Sequence, residues 1–248
     1  QAQATATVIC REAAVIAGIP WAEQVFKTID PDLHLDWLIE DGAWTIPGAK
    51  IMTCSGNARS ILTAERTALN FLQTLSATAT ATRALVDTIA HTKAQLLDTR
   101  KTLPGLRLAQ KYAVLQGGGH NHRIGLYDAF LIKENHILAA GGISAAITRA
   151  RGIAPATRLE IEVESLVELG LAIAGEPDWI MLDNFSLEEL IKAVQLTPDS
   201  IKLEASGGIE TPEDLIRIAE TGVDYISVGA LTKHCRAVDL SLRLDAED

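Results

Sequence analysis

The pattern of apolar and polar residues becomes strictly repetitive from about residue 93 of this 248-residue chain. Short runs of β-branched residues and leucine alternate there with stretches whose apolar positions recur at helical spacing. Predicted strands lie at residues 95–99, 129–133, 159–163, 179–182, 201–205 and 225–228. Predicted helices follow them at residues 106–115, 143–151, 166–174, 187–196 and 212–220, and near Leu231. Strands that are each followed by a helix are typical of a parallel sheet with right-handed crossovers.

Polar residues or glycines stand just past nearly every one of these strands. They are Arg100-Lys101, Lys133-Glu134-Asn135, residues 162–164, Asp183-Asn184, Ser206-Gly207-Gly208 and Gly229. In a (β/α) barrel the C-terminal ends of all strands surround one mouth, whereas in an open sheet only the switch point faces a ligand. The placement therefore favours an α/β fold built on a barrel. Six units instead of eight predict that the barrel is incomplete.

The first sixty residues have a different pattern, which predicts a small β-rich unit. Short strands are expected at residues 6–9, 13–16 and 33–38, with turns at Asp41-Gly42 and Pro47-Gly48. A helical pattern starts near Ser60. Residues 76–83 are low in bulk and fit a helical packing surface, a hinge or a strand. We place a domain boundary here, with residues 1–78 on one side and residues 79–236 on the other.

Charge is distributed unevenly along the chain. The whole chain has a formal net charge of −10, yet residues 98–136 contain six Lys and Arg against three Asp and Glu, and three of the six histidines. Such a cluster in an acidic protein predicts a pocket for a small, strongly anionic ligand. Nucleic acid would require a broader basic face, so we expect no nucleic-acid partner.

Composition also bears on membrane association and on the cellular compartment of the protein. No apolar run approaches the roughly 18 residues of a membrane span, so we expect no membrane partner. Cys10, Cys54 and Cys235 are far apart and odd in number, which favours reduced thiols and a cytoplasmic protein. The chain starts on Gln1 directly before a predicted strand, which leaves open that further residues precede it.

The candidate cationic set consists of Arg100, Lys101, Arg123 and Lys133, all near strand ends, with His122 beside Arg123. Arginine offers a planar fork for a carboxylate or phosphate, and lysine a mobile point charge. Several together would bind a dianion or a polyphosphate. His122 follows three glycines and lacks further ligands for zinc, so we interpret it as a hydrogen-bond donor to an anion.

The candidate anionic set consists of Glu162, Glu164 and Asp183. Carboxylates on neighbouring strands suit Mg²⁺ held partly through water, and they suit equally the stabilisation of a cationic sugar centre. Glu160, Glu162 and Glu164 alternate along one strand and therefore face the same way, so facing does not select among them.

The third set consists of glycine turns after the last two predicted strands, Ser206-Gly207-Gly208 and Ser227-Val228-Gly229. Barrels commonly bind phosphate at this position, between backbone N–H groups and a helix N-terminus. The three sets together predict one ligand with several carboxylates or phosphates, a second that carries a sugar phosphate, and Mg²⁺.

Seven blocks in order resemble the quinolinate phosphoribosyltransferase family. They are ERTALN at 65–70, LLDTRKTLPGLR at 96–107, GGGHNHRIGLYDAFLIKENH at 117–136, EIEVE at 160–164, IMLDN at 180–184, EASGGI at 204–209 and ISVGALTKH at 226–234. The resemblance implies transfer of phosphoribose from phosphoribosyl pyrophosphate to quinolinate, with Mg²⁺ and loss of CO₂, in de novo NAD biosynthesis. It also implies an N-terminal α/β sandwich, which residues 237–248 could complete, and a homodimer with shared active sites; a higher oligomer stays open.

The resemblance further implies a role for each matching residue. Those expected to bind the two quinolinate carboxylates are Arg66, from the partner subunit, and Arg100, His122, Arg123 and Lys133. Lys101 is expected at the phosphates, and Glu162 and Asp183 at the ribosyl cation or Mg²⁺. The 5′-phosphate is expected at Ser206, Gly207, Gly208 and Gly229.

Two alternative functions remain open, and the sequence departs from the family pattern at one point. A non-catalytic anion-binding or regulatory barrel would keep the same pocket, and so would a related phosphoribosyltransferase-like protein of a molybdenum-transport locus. Members of the family usually carry an N-terminal helix and a Gly-Asp-hydrophobic-Thr segment before the first strand. This sequence starts after that point, which bears on substrate capping and dimer packing more than on chemistry.

Overall fold

The computed structural model describes residues 2–245, which form two compact units. The first comprises residues 2–84, 102–119 and 231–245, and the second residues 85–101 and 120–230. The two units therefore alternate along the chain. Residues 102–119 lie in the first unit, although the predicted boundary assigned them to the barrel.

The first unit is built on a four-stranded antiparallel sheet. Its strands and helices are β1 (Gln3–Cys10), β2 (Ala14–Val15), α1 (Ile19–Ile29), β3 (His34–Trp37), β4 (Trp44–Thr45), β5 (Lys50–Asn57), α2 (Ala58–Thr88, which extends into the second unit), α3 (Arg107–Gln116) and β12 (Leu240–Leu244). The sheet order is β12-β1-β5-β3, and β2 pairs separately with β4. Ala6, Val8 and Cys10 of β1 are buried, and Phe26 and Leu72 join the same core from the helices.

Helix α1 is absent from the sequence-based prediction. It begins after Gly18, whose φ of +107° lies in the left-handed region, with Pro20 in its first turn. A Cβ at Gly18 would lie 2.9 Å from Leu75 Cδ1, so a glycine is needed here for two reasons. The start of this helix depends on a tertiary contact, which local periodicity does not reveal.

Helix α2 settles the ambiguous stretch at residues 76–83, which is helical. Its small polar residues are satisfied inside the unit: Ser76 Oγ accepts the backbone N–H of Ala17 at 3.0 Å, and Thr82 Oγ1 donates to the Thr78 carbonyl at 2.8 Å. A Cβ at Gly117, where α3 ends, would lie only 2.5 Å from the Ala79 carbonyl oxygen. The lack of bulk therefore reflects a close approach of chain segments.

The second unit contains a six-stranded parallel sheet, as predicted. Its elements are β6 (Gln95–Leu97), β7 (Phe130–Ile132), α4 (Glu134–Ala140), α5 (Ile143–Ile153), β8 (Leu159–Val163), α6 (Leu166–Ala174), β9 (Trp179–Asp183), α7 (Leu187–Leu196), β10 (Lys202–Ser206), α8 (Pro212–Ala219) and β11 (Tyr225–Ser227). Helix α9 (Ala230–Lys233) begins at the last residue of this unit, and its other residues belong to the first unit. The strand order is β6-β11-β10-β9-β8-β7. Among the described residues β6 and β7 do not pair with each other, so the barrel is incomplete.

The register of this sheet sets the level of the strand ends. Ser206 lies opposite Asp183 of β9 and opposite Ser227 of β11. The chain leaves the second unit after Lys101 and returns at His120, and the two ends of this excursion are hydrogen bonded. His120 N–H donates to the Leu96 carbonyl at 2.8 Å, and Asp98 N–H donates to the His120 carbonyl at 3.0 Å.

Helix α4 was not predicted, whereas the start of α8 was. Lys133 is the residue before α4, and its backbone N–H donates to His136 Nδ1 at 3.0 Å. Thr211 caps α8 as expected, with its Oγ1 accepting the Asp214 N–H at 3.1 Å. No helix in residues 2–245 is long and apolar enough to cross a membrane.

Two glycine-to-alanine variants test the packing of α2 and α3. Gly117→Ala is expected to lower the free energy of unfolding by about 1–3 kcal/mol, because its Cβ overlaps Ala79 and Thr82. Gly170→Ala is the control: it lies within α6 with no atom within 4 Å of the added Cβ, and should raise stability by up to about 1 kcal/mol. Urea unfolding curves measure both values, and equal stability of the two variants would contradict the packing described.

Candidate active site

A cavity of about 400 Å³ opens at the C-terminal ends of the strands of the second unit. Its lining comes from all six strands, from the residues that follow them and from the segment before β7: Thr99, Arg100, Lys101, His122, Arg123, Leu131, Lys133, Glu162, Met181, Asp183, Glu204, Ser206 and Ser227. Eight residues proposed from the sequence are thereby brought together: Arg100, Lys101, His122, Arg123, Lys133, Glu162, Asp183 and Ser206. Their assembly at one mouth follows from the parallel register.

Two guanidinium groups make one part of the cavity strongly cationic. Arg123 is only 9% exposed. Burial, and secondly the charge of Arg100, lower the pKa of Arg123. The loop after Arg123 is held by Asp128, whose carboxylate accepts the backbone N–H groups of Ile124 at 2.7 Å and Gly125 at 2.9 Å. Arg123 is therefore a buried guanidinium beside the exposed Arg100, and two such neighbours favour an anion between them.

Lys133 and Glu162 form an ion pair in the same cavity. Burial raises the pKa of Glu162; Lys133 opposes this shift and Asp183 adds to it. Asp183 Oδ2 accepts a hydrogen bond from Asn184 Nδ2 at 2.9 Å. The cavity therefore presents two carboxylates close enough to influence each other, with one lysine between cationic and anionic regions.

The glycine turn after β10 closes around Asn184. Asn184 has a left-handed φ of 56°, and its backbone N–H donates to the Ser206 carbonyl at 2.9 Å. Gly207 has φ of +85°, and a Cβ there would lie 2.1 Å from Asn184 Oδ1. Gly208 is also left-handed, at φ +67°, with open space around it. Only glycine at position 207 permits this approach of Asn184.

The remaining predicted residues lie near or apart from this cavity. A Cβ at Gly229 would lie 3.0 Å from Lys101 Cδ, so this glycine gives the lysine stem room. Arg66 lies on α2 in the first unit, where its side chain is 67% exposed and 3.9 Å from Glu65 Oε1. Its placement in a partner's site stays a prediction.

His122 differs from the anion donor expected from the sequence. It is 6% exposed, and its Nε2 lies 2.9 Å from Glu160 Oε2 and 3.2 Å from Glu204 Oε2. Its Nδ1 accepts the backbone N–H of Arg123 at 2.7 Å. Both ring nitrogens therefore face protein groups. A direct hydrogen bond from His122 to a substrate anion would require one of these contacts to open.

Burial and charge compete in this cluster. Burial alone would lower the pKa of His122, but the carboxylates of Glu160 and Glu204 raise it to about 9. Burial, and secondly Glu204, raise the pKa of Glu160 to about 7. Because the Arg123 N–H occupies Nδ1, the extra proton that these groups attract is better held between the carboxylates than on that nitrogen.

The structure also distinguishes the three glutamates in and after β8, which their alternation in the sequence did not. Glu160 is buried against His122, Glu162 reaches the cavity, and Glu164 is exposed beyond the strand end. Glu204 was missed by the sequence analysis. Its only signal is a carboxylate between Leu203 and Ala205 of a predicted strand, which indicates a buried partner without identifying it.

Two oxygen sites are candidates for a metal ion. Glu162 and Asp183 supply hard carboxylate oxygens at an open cavity, which fits Mg²⁺ completed by water and substrate oxygens. Among the described residues, the one group of three or more potential ligands within 4.8 Å of one another is instead His122, Glu160 and Glu204. That group is buried and includes an imidazole, which suits Mg²⁺ less well.

Comparison with known proteins assigns the family. Residues 1–76 match the N-terminal domain and residues 78–243 the C-terminal domain of Quinolinate phosphoribosyl transferase. The chain is 44% identical over 247 residues to the nicotinate-nucleotide pyrophosphorylase (carboxylating) of Mycobacterium leprae, covering 97% of this chain and 86% of the relative. It is 41% identical over 264 residues to quinolinate phosphoribosyltransferase (decarboxylating) 1b of Nicotiana tabacum, covering 99% and 75%.

A solved structure agrees with these matches. The nicotinate-nucleotide pyrophosphorylase from Francisella tularensis is similar with a TM-score of 0.96 and 51% identity, covering 98% of this chain and 87% of that one. The fold and the cavity define an α/β enzyme that handles anionic ligands at the open end of an incomplete barrel. The chain belongs to the quinolinate phosphoribosyltransferase family of pentosyltransferases, as the sequence motifs indicated.

The contact between Gly207 and Asn184 can be tested with a sugar phosphate. Gly207→Ala is expected to weaken binding of ribose 5-phosphate about tenfold, because the new Cβ displaces Asn184 and the turn. Gly222→Ala is a matched control, since it has φ of +93° and meets only Val194 Cγ1 at 3.5 Å. Calorimetric titration measures both affinities. Equal loss in the two variants would attribute the effect to backbone strain alone.

Proposed function

We propose that this protein converts quinolinate and phosphoribosyl pyrophosphate into nicotinate mononucleotide, pyrophosphate and CO₂, a step of de novo NAD biosynthesis. The observation that carries the proposal is the lining of one cavity by Arg100, Arg123 and Lys133 together with Glu162 and Asp183. A dicarboxylate needs the first group, and a ribosyl centre that becomes positive during transfer is stabilised by the second. The names of the relatives support this assignment.

The two substrates would divide the cavity between them. Arg100, Arg123 and Lys133 hold the carboxylates of quinolinate, and the guanidinium forks accept them in a bidentate manner. Lys101 neutralises the phosphates of the second substrate. The 5′-phosphate lies at the turns formed by Ser206, Gly207, Gly208 and Gly229, whose backbone N–H groups suit an anion.

Chemistry then follows from position and charge. The pyridine nitrogen attacks the anomeric carbon of ribose while pyrophosphate leaves, and Glu162 and Asp183 offset the positive charge that develops on the sugar. The product ring carries a positive nitrogen, which accepts the electrons left when the adjacent carboxylate departs as CO₂. A proton then takes the place of the lost carboxylate. No covalent enzyme nucleophile is needed.

Mg²⁺ is the proposed cofactor, held by Glu162 and Asp183 in part through water. When bound, it would offset the negative charge of the departing pyrophosphate. The carboxylate oxygens of these two residues match its preference for hard ligands. The further context proposed is a cytoplasmic homodimer that binds neither nucleic acid nor membrane, with Arg66 contributing to the partner's site.

Release of CO₂ tests the proposed reaction. Quinolinate labelled in the carboxylate next to the ring nitrogen is mixed with phosphoribosyl pyrophosphate, Mg²⁺ and enzyme, and labelled CO₂ is counted. Wild-type enzyme should release it, and Arg100→Ala should lower kcat/KM at least about a hundredfold, because a charge-assisted clamp is lost. Arg217→Ala is the control, since Arg217 pairs with Asp214 on the surface of α8.

Three results would overturn this proposal. Binding of phosphoribosyl pyrophosphate without CO₂ release would indicate a non-catalytic anion-binding barrel. Turnover of nicotinate as efficient as that of quinolinate would contradict recognition of a dicarboxylate. Turnover of another pyridine acid in preference to both would indicate a related phosphoribosyltransferase-like protein.

Mixed dimers test the shared site. Arg66→Ala and Lys133→Ala subunits are each expected to be nearly inactive alone, because each lacks one cation of the carboxylate clamp. In a heterodimer one of the two sites would regain both residues, so partial activity should return on mixing. Mass spectrometry verifies that mixed dimers form. Verified heterodimers with no recovered activity would refute the shared site.

A further inference from the structure

The cluster of His122, Glu160 and Glu204 is not used by the chemistry above. Both glutamates are fully buried, and Glu204 and His122 also line the cavity. Glu160 lies on β8 and Glu204 on β10, the two strands that flank β9. His122 Nε2 lies within hydrogen-bonding distance of both carboxylates. Among the described residues no Lys or Arg forms an ion pair with either one.

Stability alone does not account for two buried carboxylates. Removal of a carboxylate from water costs several kcal/mol even after relaxation, and apolar residues of similar volume are often as stabilising as a buried ion pair. The surrounding positions of these strands, such as Ile161 and Leu203, are apolar and buried. We therefore expect the two carboxylates to have a role other than stability, which an apolar side chain such as leucine could not fill.

The geometry specifies the tautomer of His122. Arg123 donates its backbone N–H to Nδ1 at 2.7 Å, so Nδ1 presents its lone pair. The ring hydrogen is then expected on Nε2, which lies 2.9 Å from Glu160 Oε2 and 3.2 Å from Glu204 Oε2. The backbone of His122 is held as well, because its N–H donates to Asp98 Oδ1 at 2.9 Å. The imidazole ring and the backbone of His122 therefore contact different groups of the protein.

The same geometry argues against a metal ion in this cluster. A metal ion bound at Nε2 would use the lone pair of Nε2, and the ring hydrogen would then lie on Nδ1. The N–H of Arg123 already points at Nδ1, so two hydrogens would face each other. An imidazole with its hydrogen on Nε2 is compatible with all of these contacts, and a metal-bound one is not.

We propose that Glu160 and Glu204 are positioning residues that orient His122 and, through it, Arg123. The two carboxylates hold Nε2–H, the ring is thereby locked, and its Nδ1 fixes the backbone N–H of Arg123. The guanidinium of Arg123 is the most buried cation of the cavity wall. The tautomer is a property of the fold alone, whereas the effect on quinolinate rests on the proposed function.

Substitutions of the glutamates separate positioning from simple packing. Glu160→Leu and Glu204→Leu remove the acceptor for Nε2–H and should raise the KM for quinolinate at least about tenfold, with a much smaller change in the KM for phosphoribosyl pyrophosphate. Glu160→Gln and Glu204→Gln keep an acceptor oxygen and should restore most of the affinity. Glu213→Gln, on the exposed start of α8, is the control.

Two substitutions of His122 test separately its contact with the Arg123 backbone N–H and its contact with the carboxylates. His122→Asn places an oxygen near the position of Nδ1 and can still accept the Arg123 N–H, whereas His122→Gln can reach the carboxylates but not that N–H. Positioning of Arg123 predicts a lower KM for quinolinate in His122→Asn than in His122→Gln. The reverse order would overturn the proposal, and so would equal rises in both KM values in the leucine variants.

A readout without turnover keeps the two proposals distinguishable. In ¹⁵N-histidine-labelled protein, the resonances lost in His122→Gln belong to His122, and they should report a hydrogen on Nε2 and none on Nδ1. A hydrogen on Nδ1, or a stoichiometric metal ion lost in Glu160→Gln, would overturn the positioning role. Failure of wild-type protein to bind quinolinate in calorimetry, with the expected tautomer intact, would instead refute the proposed function.

Discussion

The register of the parallel sheet is the constraint on which the cavity depends. Ser206 stands level with Asp183 on one side and with Ser227 on the other, so polar groups from three strands reach the same height. A shift by one residue would turn each of them to the opposite face of the sheet. Buried residues such as Ile180 and Leu182 alternate with them and prevent that shift, because it would exchange apolar for polar groups in the core.

Charges are distributed by strand around the cavity. Arg100 follows the edge strand β6 and Lys133 follows the other edge strand β7, while Glu162 and Asp183 come from the neighbouring strands β8 and β9. The glycine turns follow β10 and β11. The order of strands in the sheet therefore determines which charges are neighbours, and β10 contributes the carboxylate of Glu204 in addition to its glycine turn. The ion pair of Lys133 with Glu162 lies where the cationic and anionic regions meet.

Sequence alone predicted the elements whose signals are local. Leu159–Val163 and Leu166–Ala174 have the expected bounds, because alternating apolar residues define the strand and a helical apolar period defines the helix. Helix α1 was missed because its start depends on Gly18 packing against Leu75. The cavity residues were found since strand ends converge in a barrel, whereas Glu204 was missed because its partner, His122, is distant in sequence. Residues with a local sequence signal can be predicted from the sequence, whereas contacts between residues that are distant in sequence cannot.

The excursion between Lys101 and His120 has a consequence for evolution. The chain enters and leaves it through adjacent points, joined by the hydrogen bonds of Leu96 and Asp98 with His120. Asp98 lies two residues before Arg100 and His120 three residues before Arg123, so these backbone hydrogen bonds join the chain close to both arginines. Residues within 102–119 that lie outside the close packing at Gly117 can therefore vary without opening this junction. Backbone hydrogen bonds within the second unit thus join the chain before this segment to the chain after it.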